Sequence, residues 1–321
     1  MTVVAAADTD LAMRLVAVTE AAAVAAAHWV GRSDKEAADQ AAVDAMRSAL
    51  AVVPIDATIV IGEGEKDEAP MLHNGERVGT GDGPAFDIAV DPVDGTTLTA
   101  KGMRGAVAVL AASPRGTMLD PPAVFYMEKL VAGREAADVV DITAPVAYNV
   151  QAVARARGVT PSGITVCVLD RPRHTDLVRE VCATGARVRL ISDGDVVAAL
   201  EAAAQGTGVD LLLGVGGTPE GIITACAVTC LGGVLQARLH PRSEAERAAA
   251  AAAGFDLDQV LTAGDLVAGG EAYFVMTGIT DGAMVAGVRV DGRTATTESL
   301  VLDASDHSVR RIGSTSAWER A

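Results

Sequence analysis

A chain of 321 residues can bury a substantial core without disulfide or metal staples, as one large domain or two joined ones. Half of its residues are apolar but only 3% are aromatic, so alanine and valine carry most of the packing. The formal net charge of -16 argues against nucleic acid and an anionic membrane surface as partners, while still admitting anionic substrates bridged by divalent cations.

Apolar side chains at helical spacing predict a helix over residues 9–30 and a second over 34–53, ended by Pro54. The polar corner Gly31-Arg32-Ser33-Asp34-Lys35 lies between them, with Ser33 or Asp34 as the N-cap. A β-branched run predicts a strand over 58–61, broken by the acidic knot Gly62-Glu63-Gly64-Glu65-Lys66-Asp67-Glu68, and a strand over 86–90 runs directly into Asp91. Further strands are expected over 105–111, 124–131, 164–169, 188–191 and 209–213. Helices expected over 175–183, 195–204 and 220–230 alternate with the later strands, which is the pattern of an α/β layer. Towards the C-terminus come a charged, alanine-rich helix near 243–253 and strand-like runs over 272–276, 284–290 and 295–302, with Asp291-Gly292 as a hairpin turn. A soft boundary over 149–163 divides the chain into 1–155 and 156–321.

Asp8, Asp10, Arg14 and Glu20 interrupt the alanine-rich N-terminus before a signal core or membrane span is complete, so no targeting signal is expected. Cys167, Cys182, Cys226 and Cys230 have neither metal-finger spacing nor the density of a disulfide scaffold, which suits a reducing cytoplasm. Cys226 and Cys230, four apart on a helix face, are expected to be buried packing.

Chemistry concentrates at Asp91-Pro92-Val93-Asp94-Gly95-Thr96. A strand delivers Asp91, Pro92 is expected to fix a turn, Asp94 follows, and Gly95 permits an unusual backbone angle or close approach by an anion. Two converging carboxylates suit a hard cation, Mg2+ or Mn2+, and Thr96 adds a hydroxyl able to position an attacking water. A surface turn rich in Asp and Gly is the competing reading. In the acidic knot, Glu63 is the better ligand candidate because Gly62 and Gly64 flank it, and Asp67 is the next. Arg171-Pro172-Arg173-His174 is a basic cluster able to hold phosphate, or else a set of charges where a helix begins, and His174 is expected to cap or pack rather than catalyse. The glycine-rich stretch 214–221 joins a strand to a helix and offers backbone N–H groups to an anion, without the lysine of a P-loop.

Taken together, these segments resemble the bacterial class II (GlpX-type) fructose-1,6-bisphosphatases, within the lithium-sensitive, metal-dependent phosphatases that include inositol monophosphatases. The resemblance is carried by residues 31–35 with Asp39, Ile59-Val60-Ile61-Gly62-Glu63-Gly64-Glu65, Ala69-Pro70-Met71-Leu72, residues 87–96 and Tyr126-Met127-Glu128-Lys129-Leu130. It continues through residues 171–174, Asp193-Gly194-Asp195, residues 216–221 and Ala295-Thr296-Thr297-Glu298-Ser299-Leu300. It implies a layered α/β/α/β/α sandwich and metal ligands at Asp39, Glu63, Asp91, Asp94 and Glu220. It further implies substrate contacts at Asp94, Gly95, Thr96, Tyr126, Arg171, Pro172, Arg173, Asp193, Gly194, Asp195 and Gly217. Asp94 stands where some members have Glu, a carboxylate of longer reach. The implied activity is hydrolysis of the 1-phosphate of fructose 1,6-bisphosphate in gluconeogenesis by a cytoplasmic homo-oligomer, a dimer or tetramer, with Thr96 and Asp67 activating the water. Another sugar bisphosphate such as sedoheptulose 1,7-bisphosphate, an inositol or nucleotide phosphate, a non-catalytic sugar-phosphate sensor and an assembly protein are the alternatives.

Overall fold

The computed structural model describes residues 6–62, 72–120 and 124–318, with side chains from residue 11 onward. By internal contacts the chain forms two units, Met1–Thr117 with Glu271–Ala321, and Met118–Gly270. The boundary expected between residues 155 and 156 instead cuts a helix of the second unit. Both units are mixed α/β, in agreement with the expected α/β class.

The first unit opens with helices α1 (Ala6–Ala27) and α2 (Lys35–Leu50). Asp34, and not Ser33, caps α2: its side chain accepts the Ala37 N–H at 3.0 Å, whereas Ser33 takes a left-handed φ of 60° in the corner before it. Strands β1 (Asp56–Ile61), β2 (Arg77–Val78) and β3 (Ala85–Asp94) follow, then α3 (Thr96–Lys101) and β4 (Val107–Pro114). Strand β3 pairs parallel with β1 and antiparallel with β4.

The second unit contains β5 (Tyr126–Ala132), α4 (Val146–Ala156), β6 (Thr165–Leu169), α5 (Thr175–Ala183), β7 (Arg187–Ile191) and α6 (Asp195–Ala203). It continues with β8 (Leu211–Gly217), α7 (Thr218–Leu231), β9 (Val234–Leu239), α8 (Glu244–Ala252), β10 (Leu261–Thr262) and the short α9 (Ala263–Leu266). Its sheet has the order β10-β9-β5-β8-β6-β7, parallel at β8-β6-β7 and antiparallel elsewhere. Leu130, Val166, Val168, Leu211 and Leu213 of the sheet pack with Val150 and Val153 of α4 and Val181 of α5.

The chain then returns to the first unit as β11 (Tyr273–Gly278), β12 (Arg289–Asp291), β13 (Thr294–Asp303) and β14 (Ser308–Ala317). Strand β11 lies between β4 and β13, and β13 also pairs with β12 and β14. Ile59, Ile88, Leu110, Val275 and Val301 of this sheet pack with Leu15, Val18 and Ala22 of α1 and Met46 of α2. Each such side chain, fully buried, contributes roughly 1.5–3 kcal/mol. Inside the core, hydroxyls of Thr19, Thr277 and Ser299 form a chain of hydrogen bonds at 2.8 Å, so the polar atoms stay satisfied. The run over 284–290 is strand only from Arg289 onward. A Cβ on Gly278 would meet the Ala286 carbonyl, and one on Gly287 would meet the Thr280 backbone, so the segment folds back on itself too tightly for a ladder.

Candidate active site

In the first unit, β3 does not end at Asp91. It continues through Pro92 and Val93 to Asp94, with one extra residue between the pairs Asp91↔Val109 and Asp94↔Val107. Pro92 therefore sits in a β-bulge rather than in the expected turn; lacking an N–H, it is tolerated where the ladder is interrupted. The Val93 N–H donates to Asp91 Oδ1 at 3.0 Å, which orients that carboxylate. The turn comes at Gly95, whose φ of 98° and ψ of 48° are left-handed and whose Cβ would lie 3.0 Å from Leu98 Cδ1. Thr96 is then the first residue of α3, two positions after Asp94, which is 3% exposed.

The corner at 31–35 is docked on α3 by its backbone: Gly31 N–H donates to Thr99 O at 2.9 Å and Ser33 N–H to Ala100 O at 2.8 Å. Lys35 adds a bond from Nζ to Thr97 Oγ1 at 2.7 Å. These bonds bring the start of α2, which carries Asp39, to the helix that Thr96 opens. Asp39 is half-buried, and burial pushes its carboxyl above the usual aspartate range. Glu63 and Asp67 lie outside the described residues. Gly62, just before them, is held by a bond from its N–H to Asn74 Oδ1 at 3.0 Å.

In the second unit the basic cluster follows β6. Arg171 donates to the carbonyls of Asp170 and Ser192 at 3.0 and 2.7 Å and lies 3.8 Å from the Asp193 carboxylate. Arg173 donates twice to Val215 O, at 3.2 and 2.7 Å, and stacks over the Tyr126 ring at 5.0 Å. Pro172 begins the single 3-10 turn that joins the two arginines. His174 is 3% exposed, with Nδ1 2.7 Å from Leu169 O and Nε2 accepting the Val215 N–H at 2.8 Å, so it packs, as expected. Tyr126 pairs with Gly217 across β5 and β8. Gly194, at φ 72°, turns the chain so that Asp193 stays near Arg171 while Asp195 begins α6.

Two glycines make room for acids. A Cβ on Gly217 would collide with Glu220 Oε2, and one on Gly216 with Asp195 Oδ2 and, at 2.9 Å, with Lys129 Nζ. Lys129, 2% exposed, pairs with Asp195 at 2.7 Å. Burial pushes the Glu220 carboxyl up, the Lys129 charge pulls it back and the Asp195 charge adds to the rise. Glu220 Oε2 is buried without a hydrogen-bond partner. A cation would satisfy it, and a carboxylate oxygen suits an oxygen-seeking divalent ion. Among the described residues no three acids, histidines or cysteines close into a metal cage.

Two cations escaped the sequence reading of this site. Lys129 was legible only as part of a motif. Arg242 stacks 5.3 Å from both the Tyr126 and Phe125 rings and bonds Glu246 at 2.9 Å, so two guanidiniums flank Tyr126. Its signal was the arginine just beyond the strand that faces Tyr126. Cys167, Cys226 and Cys230 are buried and unbridged, as packing residues should be, and Cys182 is exposed.

The family described as bacterial fructose-1,6-bisphosphatase, glpX-encoded, matches residues 9–316. The chain belongs to this family. It is 44% identical over 317 residues to the class 2 fructose-1,6-bisphosphatase of Haemophilus influenzae (strain ATCC 51907 / DSM 11121 / KW20 / Rd), covering 95% of each chain. It is also 44% identical over 318 residues to fructose-1,6-bisphosphatase 1 class 2 of Escherichia coli (strain K12), covering 95% of this chain and 94% of that one. In this bisphosphatase family member, no helix among the described residues is long and apolar enough to cross a membrane.

Proposed function

We propose that the protein hydrolyses the 1-phosphate of fructose 1,6-bisphosphate, giving fructose 6-phosphate and inorganic phosphate, in gluconeogenesis. The observation that carries this reading, within a family match spanning almost the whole chain, is the placement of Thr96 on the first turn of α3, one glycine beyond the buried Asp94.

Asp39, Glu63, Asp91, Asp94 and Glu220 are the proposed holders of Mg2+ or Mn2+. When bound, such ions neutralise phosphate charge and make water a better nucleophile. The chain's own part is geometric. Asp94, Gly95 and Thr96 bring a carboxylate, a side-chain-free backbone and a hydroxyl to one turn, and the Thr96 hydroxyl orients the attacking water, with Asp67 as its proton acceptor. Arg171, Pro172 and Arg173 with Tyr126 and Gly217 grip the second phosphate, and Asp193, Gly194 and Asp195 face the sugar. Binding energy from that remote end places the 1-phosphate for in-line attack. The same reading makes the enzyme a cytoplasmic homo-oligomer.

A phosphate-release assay with Mg2+, Mn2+ and lithium varied tests the proposal. Metal-dependent release from fructose 1,6-bisphosphate is expected. Preference for sedoheptulose 1,7-bisphosphate or an inositol phosphate would reassign the substrate, and binding without release would make the protein a sensor.

A further inference from the structure

Lys129 lies on β5 between Glu128 and Leu130 and is 2% exposed, among the largest fully buried side chains of the protein. Its ammonium reaches Asp195 Oδ2 at 2.7 Å, and Asp195 is itself only 7% exposed. The other carboxylate oxygen, Oδ1, is buried with no hydrogen-bond partner. A buried ion pair alone is weak evidence for stability, and a buried carboxylate oxygen left without a donor is uncommon. A bound ligand can supply that donor.

The charge balance says what kind. Lys129 offsets Asp195 directly at 2.7 Å, which leaves Glu220, the carboxylate that feels both charges, as the one beside them still calling for a cation. An ionised carboxylate only accepts hydrogen bonds, so a phosphate oxygen is excluded as its partner. What remains is a neutral donor, such as a sugar hydroxyl. Gly216 completes the fit, because any side chain there would strike both Asp195 and Lys129.

We propose that Lys129 is a positioning residue for substrate: it holds Asp195 by Oδ2 and cancels its charge, so that Oδ1 accepts a hydroxyl of the sugar. This rests on the reading of Asp195 as a substrate contact. Lys129 touches no reacting atom; it acts through Asp195.

The test compares fructose 1,6-bisphosphate with p-nitrophenyl phosphate, which has no sugar hydroxyl, in the full-length enzyme. Lys129→Met is expected to raise KM for the sugar bisphosphate about tenfold or more, the loss of a charge-assisted hydrogen bond. The double variant Lys129→Met/Asp195→Asn keeps an acceptor that needs no counter-charge and is expected to recover most of that KM. The double variant Lys129→Met/Asp195→Leu removes the buried charges and the acceptor together. It is expected to melt close to wild type, yet to lose at least about tenfold more kcat/KM on the sugar bisphosphate than on the aryl phosphate. If Lys129→Met does not fold, the two double variants still decide the matter. Equal losses on both substrates, or equal sugar KM in the two double variants, would overturn the role of Lys129. A wild-type enzyme that releases no phosphate from any sugar bisphosphate would instead overturn the functional reading on which it rests.

Discussion

The backbone N–H of Val215 donates to Nε2 of His174 at 2.8 Å, which makes that nitrogen the acceptor of a neutral imidazole and leaves Nδ1–H facing Leu169 O at 2.7 Å. One ring thus pins the end of β6 to the middle of β8, beside the carbonyl that Arg173 uses. Burial, and then the charges of Arg173 and Arg171, hold its pKa below the ordinary histidine value against the raising effect of the Leu169 carbonyl and Asp195. A histidine lowered in the fold adds stability that is fully present above its unfolded pKa, about 6.5. That contribution is lost as pH falls from there towards the lower folded value. Melting temperature measured from pH 7.5 to 5 should therefore fall more steeply for wild type than for His174→Gln. Parallel curves would contradict the neutral tautomer.

Thr96→Ala should lower kcat by about 100-fold or more, the scale of a lost proton-transfer or water-positioning group, with KM changed little. Thr96→Ser should keep most of the activity, since the hydroxyl is what the turn at Gly95 presents. Steady-state kinetics on both variants separate the two effects, and a Thr96→Ala enzyme with wild-type kcat removes the water-orienting role.

Asp91→Asn keeps an acceptor for the Val93 N–H but removes the charge. Millimolar Mn2+ should raise the melting temperature of the wild type by mass action, and this rise should shrink or vanish in Asp91→Asn along with turnover. Thermal scans with and without metal report the binding independently of catalysis. An undiminished rise would remove Asp91 from the ligand set.

Gly216→Ala forces a methyl against Asp195 Oδ2 and Lys129 Nζ, two buried groups with little room to retreat. Overpacking of this kind costs about 1–3 kcal/mol, readable by denaturant unfolding, and should raise KM for the sugar bisphosphate at the same time. Stability loss without any KM change would separate the glycine from substrate binding.

Arg173→Gln removes one of the two guanidiniums stacked on Tyr126. KM for a sugar bisphosphate should rise about tenfold, the scale of a charge-assisted contact, and KM for a monophosphate clearly less. Equal shifts on the two substrates would mean that Arg173 serves only to pack β8 through Val215 O.

Local signals carried much of this architecture. The β-branched runs, the cap at Asp34 and the strand-helix alternation from Thr165 to Leu231 all depend on neighbours in sequence, and each was readable there. The elements that went unread depend on distant partners. Strand β14 has only a weak alternation of half-buried and exposed residues and is ordered by pairing with β13 along its whole length. Helix α4 starts after Pro145 without a side-chain cap, so its first turn carries no signal, and the soft boundary expected over 149–163 overlaps its second half. Within the site, Asp91-Pro92-Val93-Asp94-Gly95-Thr96 announced itself by composition, but its bulge is a property of the pairing with β4. The burial of Lys129 leaves no local signal, because a lysine in a strand is expected to face water and the acid that lets it do otherwise arrives only at the start of α6.

The placement of β11 has a consequence for biosynthesis. Residues 118–270 form a contiguous unit whose strands pair among themselves, whereas β4 must wait for residues 273–278 to emerge before its outer edge is covered. Val275 and Val301, which pack under α1, come from the same late segment. On the ribosome the arginine-bearing unit can therefore close first, while the unit carrying Asp91, Asp94 and Thr96 stays an open sheet until β11 has emerged. A premature stop just before β11 would leave residues 118–270 able to pair their own strands and deny Asp91, Asp94 and Thr96 a folded scaffold.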